Sequence, residues 1–154
     1  MNDENYDVLI VGGGMVGATL GCALGDSGLR VALLEDSPPA PFSAEQPHDL
    51  RVSAVSIASA NILKTLGIWP GITSRRLCPY RRMRVWEDSG DVEFRSEEIN
   101  EPVLGHIVEN RIIQLAALER LHAFSNITVL SPIKTRTVHY DAAGSTVELE
   151  DGRT

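Results

Sequence analysis

The chain has 154 residues, 43% of them hydrophobic, with 14 Lys and Arg against 21 Asp and Glu for a formal net charge of −7. That is the size of one ordinary domain, apolar enough to bury a core, so global disorder is excluded. The acidic balance argues against a general nucleic-acid binder, whose affinity comes from counterion release by Lys and Arg. No apolar run reaches the length of a membrane-spanning helix, and the N-terminal one is interrupted by glycines.

In chain order, Asp7–Val11 is aliphatic and β-branched, and reads as a strand buried on both faces. Met15–Ser27 follows as a helix with Val16, Leu20, Ala23 and Leu24 on one stripe and Gly28 as its C-cap. Gly17, Gly21 and Gly25 recur every four residues and leave a face open to close backbone approach. Arg30–Glu35 is a second buried strand, so residues 7–35 form a βαβ unit. Ser37–Pro47, with four of the eight prolines, is an irregular loop. The spacing of Val55, Ala58, Ile62, Leu63 and Leu66 predicts a helix over Ser53–Leu66 that ends at Gly67. Arg81–Trp86 and Val92–Arg95 flank a turn at Asp88–Asp91 and form a hairpin within 81–99. Gly105–Val108 is a strand, about Arg111–Ala123 a helix, and Ile127–Leu130 a third parallel strand. Thr135–Tyr140 and Thr146–Glu150 alternate like a hairpin around Asp141–Gly144. There is no internal repeat.

Gly12-Gly13-Gly14-Met15-Val16-Gly17 satisfies GxGxxG between the first strand and the first helix. Gly12 permits the tight turn, Gly14 lets the backbone approach a pyrophosphate, and Gly17 lets helix pack on strand. The N–H groups of Met15 and Val16, at the helix N-terminus, face the phosphates. Glu35 ends the second strand 18 residues after Gly17, where a carboxylate accepts hydrogen bonds from an adenosine ribose and disfavours a 2′-phosphate. Asp36 either shares the ribose or is a solvated carboxylate. FAD and NAD present the same ADP half to this loop, so the loop does not choose between them.

Other features carry less. Arg75, Arg76, Arg81, Arg82 and Arg84 read as a solvated basic surface, or as the footprint of an acidic partner, anionic cofactor or headgroups. Two cysteines, Cys22 and Cys78, lack disulfide or metal spacing and suit a reducing cytosol. Cys22 is expected to be inert within the helix interface, His106 to be a hydrogen-bonded structural histidine, and Trp69 and Trp86 to be packing residues. Ser53 and Ser56 have no histidine at a nucleophile's spacing. Met1–Tyr6 carries Asp3 and Glu4 and does not read as a signal peptide.

Asp49-Leu50-Arg51-Val52-Ser53-Ala54-Val55-Ser56 and Leu66-Gly67-Ile68-Trp69 resemble the flavin-dependent aromatic hydroxylases, and within them the VisC-type ubiquinone-biosynthesis branch. Tyr80–Trp86, Leu104–Asn110 and the Gly12–Gly17 loop agree. The resemblance implies an α/β, Rossmann-like FAD-binding domain, with a parallel sheet, inserted antiparallel hairpins and a flavin-facing loop and helix over 49–67. It implies hydroxylation of a polyprenylated phenol with O2 through a flavin C4a-hydroperoxide, with NADPH or another donor as reductant. Arg51 matches the arginine on the flavin side, where a cation neutralises pyrophosphate or bonds a ring oxygen; the alternative is a surface arginine paired with Asp49. Asn110, Arg111 and Gln114 match the helix start that touches the ribityl chain or ring, although polar residues there are also ordinary caps. Thr135, with Lys134, matches the segment flanking adenine.

The resemblance assigns no catalytic base, nucleophile or metal. It implies a cytoplasmic protein beside the membrane, with self-association or other ubiquinone-pathway proteins as partners. It also implies a truncated chain, stopping before the family's Asp-Gly and Gly-Asp motifs and its substrate domain, inactive alone and with a bare edge at the first strand. Two other readings remain open: an NAD-dependent dehydrogenase domain and a non-catalytic Rossmann-like assembly module.

Overall fold

In a computed structural model, residues 5–142 and 144–154 are described. Residues 1–4, on which the signal-peptide expectation rests, and 143, inside the expected Asp141–Gly144 turn, lie outside the described residues. Packing divides the chain into two compact units. One is built from the chain up to Pro41 and from Ala117–Thr154, the other from Phe42–Ala116.

In the first unit, β1 (Val8–Val11), β2 (Val31–Leu34) and β8 (Ile127–Leu130) form a parallel sheet in the order β1-β2-β8. The register sets Val8 opposite Val31 and Val31 opposite Ile127. All four residues of β2 are buried, which is why this central strand is an unbroken apolar run. The edge strand β1 departs from the expectation of burial on both faces: Ile10 is buried, but Val11 is 53% exposed.

Helix α1 (Met15–Ala23) is shorter than expected. The chain leaves it at Leu24 and turns through Asp26 and Gly28, both at positive φ. Its buried face is Ala18, Gly21 and Cys22, not the stripe through Val16 and Leu20, which are 75% and 48% exposed. The small side chains win because the helix lies very close to its neighbours. A Cβ on Gly21 would stand 2.8 Å from Leu121 Cδ2, and one on Gly25 would stand 2.5 Å from the Phe124 ring. Leucine or valine on that face would overfill it. On the opposite face of the sheet, Leu9, Leu34 and Leu130 pack with Val138, Val147 and Leu149 of the antiparallel hairpin β9 (Thr135–Asp141) and β10 (Gly144–Leu149).

In the second unit, β3 (Val52–Ser56), β7 (Gly105–Glu109) and β4 (Cys78–Tyr80) form an antiparallel sheet in the order β3-β7-β4. Residues 53–56, expected as helix, are therefore strand. The β-branched Val52 and Val55 ladder onto β7, and α2 (Ile57–Thr65) begins only after Ser56, whose Oγ accepts the Ser59 N–H at 3.2 Å. Helix α3 (Trp69–Thr73), β4 and a 3₁₀ turn over Ser96–Ile99 are additional elements.

The hairpin β5 (Arg82–Glu87) and β6 (Gly90–Arg95) forms a separate two-stranded sheet. Trp86 on it is 70% exposed, so it is not the packing residue expected. Helix α4 (Asn110–Leu121) follows β7 with no intervening loop. Among the described residues, no helix is long and apolar enough to cross a membrane.

Candidate functional site

The glycine loop of the first unit is built by close backbone contact. Gly12 has φ 101° and donates its N–H to the Leu34 carbonyl at 2.8 Å, which ties the turn after β1 to the end of β2. Only glycine takes that φ without strain. A Cβ on Gly17 would lie 2.0 Å from the Gly12 carbonyl oxygen, so the first turn of α1 rests directly on the loop. Gly14 differs, because a Cβ there would meet nothing within 4 Å. It is the N-cap of α1 with no side-chain cap, and by helix geometry the N–H groups of Met15, Val16 and Gly17 have no intrahelical acceptor. The loop therefore offers open space beside a partial positive charge, an arrangement suited to phosphate.

Glu35 closes this arrangement. Its side chain is buried, Oε2 accepts the Gly13 N–H at 2.7 Å, and Oε1 accepts the Ser37 N–H at 2.7 Å. A carboxylate has about four acceptor sites, so about two remain open to further hydrogen-bond donors. Asp36 is exposed and makes no hydrogen bond among the described residues. Thr135 opens β9, and the segment before it is held to Glu35 by the Ile133 N–H bonded to the Glu35 carbonyl at 2.9 Å. Gly13 was given no task by the motif, yet a Cβ there would stand 2.9 Å from Leu33 Cδ2 and 3.0 Å from Glu35. The unbroken glycine triplet was the available signal.

The other candidates lie in the second unit. Arg51 is exposed, and its guanidinium has no partner among the described residues. Its carbonyl accepts the Asn110 N–H at 3.0 Å. Asp49 does not pair with Arg51; it pairs with Arg111, Nε to Oδ2 at 2.9 Å. Asn110 Oδ1 accepts the Ser53 hydroxyl at 2.7 Å, which gives Ser53 a structural partner. Gln114 is half-buried one turn further along α4. The structure thus brings Arg51, Asn110 and Arg111 together around the 49–51 segment.

Sequence reasoning missed Glu109, whose side chain is only 4% exposed. Arg76 Nε donates to its Oε1 at 2.5 Å, and Arg76 Nη2 and the Asp49 N–H donate to its Oε2 at 3.1 and 2.9 Å. The Arg76 hydrogen bond, more than offsetting burial, holds the Glu109 carboxyl down at about 2. The arginine cluster is accordingly not one basic surface. Arg76 is held by Glu109, Arg75 bonds the Gly71 carbonyl, Arg81 the Pro102 carbonyl, and Arg84 the Asp91 carboxylate.

His106 is also corrected. Its Nδ1 is buried with no hydrogen-bond partner among the described residues, its ring meets Trp69 edge to face at 5.1 Å, and burial, then Lys64, pushes its pKa down. Cys22 is buried, with its thiol pushed up to about 11 by burial.

No protein-family model matches the chain. The 3-demethoxyubiquinol 3-hydroxylase of Escherichia coli K12 is 37% identical over 153 residues, covering 99% of this chain and 39% of that protein. The ubiquinone hydroxylase UbiL of Rhodospirillum rubrum is 34% identical over 154 residues, covering 99% of this chain and 35% of its own length. The crystal structure of the flavin-dependent monooxygenase PieE in complex with FAD and substrate has a TM-score of 0.71 at 16% identity, covering 98% of this chain and 28% of that one. That likeness shows a shared α/β fold with a parallel sheet. The chain spans less than two fifths of the length of these curated relatives. Along 99% of its own length, the chain is similar in sequence to these ubiquinone-biosynthesis hydroxylases.

Proposed function

We propose that this chain is the Rossmann-like, FAD-binding segment of a flavin-dependent monooxygenase that hydroxylates a polyprenylated phenol ring in ubiquinone biosynthesis. The observation that carries the reading is the Glu35 carboxylate, fixed 2.7 Å from the Gly13 N–H beside the open space at Gly14. A carboxylate bonded into the same loop that opens a side-chain-free helix N-terminus matches the ribose and pyrophosphate of an ADP moiety.

On this reading Gly12, Gly14 and Gly17 shape the loop, and the N–H groups of Met15 and Val16 neutralise the pyrophosphate. Glu35, with Asp36 beside it, receives the ribose, and the Thr135 segment flanks adenine. Arg51, Asn110 and Gln114 serve the flavin half, with Arg111 supporting them through Asp49. When bound, the flavin supplies the redox chemistry, taking electrons from NADPH or another donor and activating O2. The residues of this chain bind and orient it, and none is assigned a proton-transfer step.

Titration calorimetry of the purified chain with FAD and with NAD tests the reading. FAD binding that weakens on Glu35→Ala supports it; saturation by NAD with no response to FAD overturns it.

A further inference from the structure

We infer that the pair of buried Glu109 and half-buried Arg76 is a positioning device that sets the course of residues 46–51 and so presents Arg51 from a fixed backbone. The segment runs from the end of the proline-rich loop to β3 and pairs with no strand before Val52, so no sheet ladder fixes its course. Its backbone groups bond to this pair instead. Arg76 Nη1 donates to the Gln46 carbonyl at 3.0 Å and Nη2 to the Pro47 carbonyl at 2.9 Å, while Glu109 Oε2 receives the Asp49 N–H at 2.9 Å. The next residue of the chain after Glu109 completes the set, with the Asn110 N–H on the Arg51 carbonyl. Arg76 also stacks over the Phe42 ring at 5.3 Å, near the loop's other end.

The chemistry requires an arginine. Its planar fork reaches both carboxylate oxygens and two carbonyls at once, whereas a lysine ammonium is a point donor. A buried ion pair adds little net stability over an apolar pair of the same volume, so these bonds matter chiefly for the geometry they impose. Arg51 itself donates to nothing in the unit, which leaves its guanidinium available while its backbone is held.

The inference rests on the proposed role of Arg51 toward flavin, and the test separates the two. Amide exchange at Asp49 and Asn110, with FAD affinity, is measured in the wild-type chain and in Arg76→Lys, Arg51→Ala and the double variant. Glu109→Gln serves as a second disruption if Arg76→Lys folds poorly. In Arg76→Lys, exchange at Asp49 and Asn110 is expected to rise about ten-fold, in line with one weakened hydrogen bond to a charged group. Protection in β2 should stay unchanged. FAD affinity should fall by about the same factor, and the double variant should bind little worse than Arg51→Ala. Unchanged exchange at Asp49 and Asn110 overturns the positioning role, as does strict additivity of the two substitutions. A wild-type chain that fails to bind FAD overturns the flavin reading, and the exchange data then still decide whether the pair holds the segment.

Discussion

Alanine at two glycines of one motif should give opposite phenotypes. At Gly17 the new Cβ would start 2.0 Å from the Gly12 carbonyl oxygen, and a real contact of this kind needs at least 3.0 Å. The first turn of α1 must therefore withdraw from β1 by about 1 Å. It has little room to do so, because Gly21 and Gly25 already sit against Leu121 and Phe124. Overpacking of this kind costs about 3 kcal/mol at the upper end of its usual range. Replacing glycine in a helix returns about 1 kcal/mol, so the net loss is about 2 kcal/mol. For a chain of this length that is a fall in Tm of about 4–8 °C. At Gly14 the Cβ meets nothing within 4 Å, and φ −64°, ψ 178° is open to any L-residue. Stability should change by less than about 0.5 kcal/mol, but the methyl group would occupy the approach to a pyrophosphate. FAD affinity should therefore fall about ten-fold or more. Thermal unfolding followed by circular dichroism, with FAD titration, reads both. A Gly17→Ala chain that melts with the wild type refutes the packing argument, and a Gly14→Ala chain with unchanged FAD affinity refutes the site.

Other substitutions and conditions probe single groups. Glu35→Gln puts an NH2 donor where one of two backbone N–H groups now finds an oxygen, and should cost about 1–3 kcal/mol in stability, read by urea unfolding. Glu109 titrates at about 2 in the folded chain against an ordinary 4.5, so its contribution is complete above pH 4.5 and lost as pH falls from there toward 2. The urea midpoint of the wild type should drop more steeply between pH 5 and 3 than that of Glu109→Gln; parallel curves would contradict this. At neutral pH a maleimide should modify exposed Cys78 quickly and reach Cys22 only after denaturant is added, because that thiol is buried and raised to about 11.

The βαβ start was legible because its determinants are local. A buried central strand reads as an apolar run, and the GxGxxG-to-Glu35 spacing encodes a contact 22 residues apart through one fixed supersecondary unit. The orientation of α1 was misread from its large residues, since hydrophobic periodicity weighs valine and leucine above glycine. Here close approach selects Ala18, Gly21 and Cys22, and Val16 and Leu20 stay in solvent. Residues 53–56 were misread for a related reason. Val55 fits both a helical stripe and a strand alternation, and only the β7 partner, some 50 residues on, decides between them.

The same distance limit explains the misread arginines of the second unit. A run of arginines reads as surface when no acid stands nearby in sequence, yet Arg76 finds its carboxylate 33 residues away and Arg111 finds Asp49 62 residues away. Nothing in the 105–109 strand pattern marks Glu109 as a partner, because its role exists only once β7 has been brought beside the loop that precedes β3. Once that pairing forms, the charges stop being interchangeable. Arg76 and Arg111 are engaged by Glu109 and Asp49, while the Arg51 guanidinium has no partner among the described residues and its backbone is anchored. On the function proposed above, that division leaves Arg51 as the cation of the 46–51 segment and its partners that would meet an anionic or carbonyl group of the cofactor.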